Sequence, residues 1–121
     1  MRKQSFLRLI IFLFSAQATF VIYNNPNIYA ADVTDVVTVS KDMRAGYEEM
    51  RKGNLDRAID IFNKVISMDA KNSNAYAGLG NTYFQKGESD KAIELFNKVI
   101  SLDAENPRAY IGLGNIYFQK G

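Results

Sequence analysis

Apolar residues recur along this chain at helical spacing in short, separated runs. Tyr76, Leu79, Gly80 and Tyr83 fall at i, i+3, i+4 and i+7, and Tyr110, Leu113, Gly114 and Tyr117 repeat that run. Ala58, Phe62 and Val65 form a second kind of stripe, matched by Ala92, Phe96 and Val99. The pattern predicts paired amphipathic helices with no strand between them. Gly53, Gly87 and Gly121 stand where the first helix of each pair should close, because a left-handed C-cap favours a residue without Cβ. Asn106-Pro107 should open the last helix, with asparagine as N-cap and proline in the first turn.

The runs repeat with a fixed period of 34 residues. Residues 73–87 and 107–121 agree at 11 of 15 positions, and residues 53–72 and 87–106 agree at 13 of 20, including NKVIS in both. A period of this size identifies one supersecondary unit stacked on copies of itself.

On these residues the chain resembles the tetratricopeptide repeat family. The aromatic-x2-Leu-Gly-x2-Tyr signature is present as Tyr76, Leu79, Gly80, Tyr83 and again as Tyr110, Leu113, Gly114, Tyr117. The Ala-x3-Phe signature of the second helix is present as Ala58/Phe62 and Ala92/Phe96. The resemblance implies an all-α fold, a right-handed superhelical solenoid of 34-residue helix–turn–helix repeats. About two and a half units are expected, at 39–72, 73–106 and 107–121, the last incomplete. Tyrosine replaces the usual tryptophan, and Ala70 and Ala104 replace the usual proline. In the first unit a helix is expected at about 41–52, with Asp42 and Glu49 where Tyr76 and Tyr83 fall later. Such a polar helix suits a terminal capping unit. Gly80 and Gly114 are expected on the buried face, where a missing side chain allows close helix approach. "GLGN" lies inside a helix and is no phosphate loop.

Opposite the Tyr76/Leu79/Tyr83 face, at about 140° on the helical wheel, lie Asn74, Ala77, Asn81, Phe84 and Gln85, and one unit later Arg108, Ile111, Asn115, Phe118 and Gln119. The resemblance places these on the concave groove where family members bind peptides, and asparagine and glutamine can both donate to and accept from a peptide backbone. A solvated face copied along with the repeat is the alternative. The basic clamp that some members use for C-terminal carboxylates is not supported, because Met43, Tyr47 and Gly78 occupy its positions.

The first thirty residues read differently. A basic stretch, MRKQSFLR, precedes the apolar LIIFLFSAQATFVIY, as in a signal peptide. Ile28 and Ala30 are suitably placed for cleavage before Ala31, with a weaker site after Ala18. Leu9 to Ala31 carries no charge and is long enough for an uncleaved anchor through a bilayer of roughly 30 Å. Residues 1–30 are therefore expected to be a signal peptide or signal anchor, 31–39 a linker, and 40–121 the repeat domain. Either reading puts the repeats outside the cytoplasm, in a periplasmic or secreted protein or one anchored through residues 9–30.

The net charge of +2 takes its sign from this leader. Removing Arg2, Lys3 and Arg8 from the 15 Lys+Arg leaves 12 against 13 Asp+Glu, a net of −1 from Ala31 onward. No basic patch for nucleic acid is expected. The absence of cysteine and histidine excludes disulfides, thiolate zinc sites and a Ser-His-Asp triad. Carboxylates and lysines such as Asp56, Asp60, Glu94 and Lys98 have the spacing of exposed helix pairs. No catalytic residue, metal or cofactor is expected. The functional expectation is a non-enzymatic module that binds a protein or peptide. The alternative is the scaffold arm of a larger enzyme whose catalytic domain lies beyond Gly121. The third unit stops after its first helix, so Tyr110, Leu113 and Tyr117 are expected to be uncovered, with self-association through that face.

Overall fold

A computed structural model describes residues 26–121, and the described residues are helical with short turns between. Five helices follow one another: α1 Pro26–Arg51, α2 Leu55–Met68, α3 Ser73–Gln85, α4 Ser89–Leu102 and α5 Pro107–Lys120. Residues 38–121 pack as one unit. Within it α1/α2 and α3/α4 are the two helix pairs, and α5 is the first helix of the third.

The helix ends follow from the residues present. Gly53 and Gly87 take φ of +83° and +86°, the left-handed conformation expected of them. Each lets the chain reverse while satisfying terminal carbonyls. Gly53 N donates to Met50 O and Asn54 N to Glu49 O, and Gly87 N and Glu88 N repeat this on Phe84 O and Tyr83 O. Asn72 caps α3 by accepting from Ala75 N at 3.0 Å, and Asn106 caps α5 by accepting from Arg108 N at 3.1 Å, ahead of Pro107.

The core is built around two phenylalanines one repeat apart. Phe62 and Phe96 are fully buried, each among alanine and aliphatic side chains of its own and neighbouring helices. Each ring lies between glycines of two first helices. A Cβ at Gly46 of α1 would stand 2.8 Å from the Phe62 ring, and one at Gly78 of α3 would stand 2.5 Å from it. Phe96 is held likewise between Gly80 of α3, at 3.1 Å, and Gly112 of α5, which is tighter still. The unit thus locks to its neighbour by pressing a second-helix ring against bare backbone on both sides.

Three sequence expectations change here. Residues 31–39, read as a linker, are helical, and the first helix begins at Pro26 rather than near 41. Gly114 is not buried. Nothing beyond its own helix and chain neighbours lies within 4 Å of a Cβ built on it, whereas Gly80 is buried and makes the close approach expected of it, and Gly78 and Gly112 make closer ones that the sequence did not single out. Leu113 is half-buried against the Phe96 cluster, while Tyr110 and Tyr117 are exposed as expected. The signal or anchor segment lies, up to residue 25, outside the described residues. Among the described residues no helix is long and apolar enough to cross a membrane.

The polar first helix has a specific use. Lys64 of α2 reaches Asp42 at 2.8 Å, and Arg57 of α2 approaches Glu49 at 3.9 Å. One unit later the equivalent Lys98 and Lys91 of α4 lie 6.0 Å and 5.1 Å from the ring centres of Tyr76 and Tyr83. The same two basic positions therefore meet carboxylates on α1 and aromatic faces on α3. Glu49 is also held below its usual pKa, first by the hydrogen bond from Asn54 and then by Arg57 and Lys52. Exposed ion pairs recur with the period too, Lys86–Asp56 at 2.8 Å and Lys120–Asp90 at 3.1 Å.

Candidate functional site

The first helices α1, α3 and α5 lie side by side, so residues at equal positions in successive units form rows across one face. On this face the Tyr47 and Arg108 side chains meet the main chain of Asn74 in one node. Tyr47 of α1 packs edge-on against Phe62, with ring centres 5.1 Å apart at 72°. Its hydroxyl donates to Asn74 O of α3 at 3.3 Å. Arg108 of α5 donates to the same hydroxyl from Nη1 at 2.8 Å, and its guanidinium lies 5.4 Å from the Tyr47 ring centre. Burial pushes the Tyr47 phenol above its ordinary pKa of 10.0, and the Arg108 charge and hydrogen bond pull it part of the way back. Asn106 extends the node, its Nδ2 donating to Ser73 Oγ at 3.2 Å and Asn74 Oδ1 at 3.4 Å.

The ten residues singled out from the sequence divide into three groups. Asn74 and Arg108 belong to the node. Asn81, Asn115, Gln85 and Gln119 have solvent-accessible side chains with no hydrogen-bond partner among the described residues. These amides are the free donors and acceptors of the face. Ile111 and Phe118 are uncovered, Phe118 at 91% exposure, whereas Phe84, its counterpart one unit earlier, is half-buried against the Phe96 cluster. Ala77 is a correction: it is fully buried in that cluster with Ala109 and Ile116, because α5 packs over it. A helical wheel drawn on one unit includes only the partner helix of that unit, and the burial of Ala77 comes from the helix of the next.

Tyr47 was missed as a site residue, although its register is that of Asn81 and Asn115, 34 and 68 positions later. That register was the available signal. Its contact with Arg108, 61 residues away, was not legible.

A polar depression of about 500 Å³ lies at the α3–α4 turn, lined by Gly87, Glu88, Ser89, Asp90, Lys91 and Lys120. Its charges are already matched, Lys91 with Glu88 at 2.6 Å and Lys120 with Asp90.

Comparison with known proteins agrees with this architecture. A family model described as "TPR repeat" matches residues 80–121, and one described as "Tetratricopeptide repeat" matches residues 49–100. A search of curated proteins finds no match. Among solved structures, the chain is similar to the one titled "Crystal structure of MamA", at 32% identity and a TM-score of 0.63. The match covers 69% of this chain and 48% of that one, so the chain spans about half the length of the structure it matches. With both helix pairs, the spaced signatures and the glycine-clamped phenylalanines in register, the chain belongs to the tetratricopeptide repeat family, whose units serve in general as protein–protein interaction modules.

Proposed function

We propose that the face shared by α1, α3 and α5 binds an extended segment of a protein partner, outside the cytoplasm, and that the chain is non-enzymatic. The observation that carries the reading is the row of unpartnered amides, Asn81 and Asn115 with Gln85 and Gln119, beside an ordered Tyr47–Asn74–Arg108 node. An extended peptide presents one donor and one acceptor per residue, and each amide side chain can answer both. Exposed Ile111 and Phe118 offer apolar contact for the guest's side chains.

The test is a selection of displayed peptides on the full chain, followed by calorimetric titration of the enriched sequences. A net hydrogen bond contributes on the order of 1 kcal/mol, so Asn81→Ala and Asn115→Ala should each weaken binding about fivefold with little change in folding stability. Unchanged affinity in the folded double variant, or no enriched sequence at all, would refute the reading. The export part has its own test in N-terminal sequencing of the protein from its native host. A start at Ala31 supports cleavage, and a start at Met1 supports an anchor instead.

A further inference from the structure

Arg108 reaches from α5 across α3 to Tyr47 of α1, and so joins two units that are not adjacent along the chain. Repeat arrays are held by contacts between adjacent units, so this bridge adds to the stacking rather than making it. The partner it finds is a neutral phenol. Nη1 donates to the Tyr47 hydroxyl at 2.8 Å, with the guanidinium 5.4 Å from the ring centre. Lys52, Lys64, Lys86, Lys91 and Lys120 each reach a carboxylate within 4 Å, whereas exposed Arg108 meets none among the described residues. A guanidinium has five N–H donors, and the Tyr47 hydroxyl takes one of them.

Charge is segregated around this bridge. Every Asp and Glu after Gly53 lies on α2, α4 or a turn, and α3 carries no charged residue at all. At the positions of the candidate residues on α3 and α5, and at their equivalents on α1, the only charged residues are Arg51 and Arg108. The face that presents the free amides is therefore positive and without carboxylate, although the chain from Ala31 onward is net negative. We propose, resting on the peptide-binding role of this face, that its partner is an acidic segment and that Arg108 is a latch. The guanidinium lies on Tyr47 when the face is empty and turns to an internal Asp or Glu side chain of the guest. A carboxylate accepts two parallel N–H bonds from a guanidinium, both charge-assisted, where the phenol accepts one, so the guest acid wins the exchange. Tyr47 is then a competitor for Arg108 rather than a contact of the guest's acid.

The probes are the peptides enriched by display on the full chain, synthesised with amidated C-termini so that their carboxylates are side chains. Each is paired with a copy in which Asn and Gln replace Asp and Glu. In calorimetric titration the acidic member should bind at least about tenfold more tightly, an advantage that shrinks as salt is raised. Arg108→Gln should bring the ratio between the two members to about unity. Tyr47→Phe removes the competing acceptor and should tighten binding of the acidic member about fivefold. Asn81→Ala should weaken both members alike. Circular dichroism checks that each variant is folded. Enriched peptides without Asp or Glu, or an acid preference indifferent to Arg108→Gln, would overturn the acidic partner, and weaker binding in Tyr47→Phe would overturn the latch. Those results leave peptide binding by the amide row standing, whereas a selection that enriches nothing would overturn both.

Discussion

Gly78→Ala is the substitution on which the packing argument can fail most cleanly. A methyl at this position would stand 2.5 Å and 2.6 Å from two atoms of the Phe62 ring, about 1 Å inside ordinary carbon contact. The ring has little room to move away, because α1 holds its other side so closely that a Cβ on Gly46 would stand 2.8 Å from it, and Phe62 is fully buried. Overpacking of this kind costs about 1–3 kcal/mol. Against it stands the gain from removing a mid-helix glycine, up to about 1 kcal/mol. The net expectation is destabilisation of about 1–2 kcal/mol, which lowers Tm by about 4–8 °C per kcal/mol in a domain of this size. Gly114→Ala is the internal control. It makes the same chemical change in a helix of nearly the same sequence, yet meets nothing within 4 Å, so only the propensity gain remains and Tm should rise by a few degrees. Thermal and urea unfolding followed by circular dichroism measure both. A cycle with Phe62→Leu adds a second check, since the smaller side chain should relieve part of the Gly78→Ala penalty and make the pair non-additive. If Gly78→Ala and Gly114→Ala shift stability in the same direction by similar amounts, the glycine-clamped ring is not what joins the units.

Other outcomes follow from the same contacts. Asn106→Ala removes the α5 cap and its bonds to Ser73 and Asn74, and should cost about 1–2 kcal/mol in urea unfolding. Tyr47 has its phenol pKa raised in the folded state, so its contribution is fully present below the unfolded value of 10.0 and is lost as pH rises through the folded value. Stability measured above pH 10 should therefore fall less steeply in Tyr47→Phe than in the parent chain. Arg108→Ala removes the charge that partly offsets burial, and difference ultraviolet titration should find the Tyr47 phenol moved further up. Asp56→Asn and Asp90→Asn break exposed pairs with Lys86 and Lys120, and each should shift thermal stability only slightly, a difference that disappears in high salt.

The amino-acid sequence by itself determined the local and the periodic. Helical spacing, Gly53 and Gly87 as left-handed caps, and Asn106-Pro107 as a helix start are properties of neighbouring residues, and the 34-residue repeat makes each one visible more than once. The free amides at Asn81 and Asn115 were legible for the same reason, since a helical wheel within one unit assigns them away from its packing face. The wheel failed wherever a residue answers to the next unit rather than its own. Ala77 is buried because α5 covers it, and Gly78 and Gly112 are tight because a ring from the preceding unit presses on them. The repeat marks Gly78 and Gly80 equally, and no periodicity says which neighbour each one meets. Asp42 and Glu49 read as generic capping polarity until α2 supplied Lys64 and Arg57. The Tyr47–Arg108 contact joins α1 to α5 across 61 residues, a closure fixed by the angle at which units stack. That angle is set by side-chain packing between helices. It is a tertiary quantity, and only the folded chain supplies it.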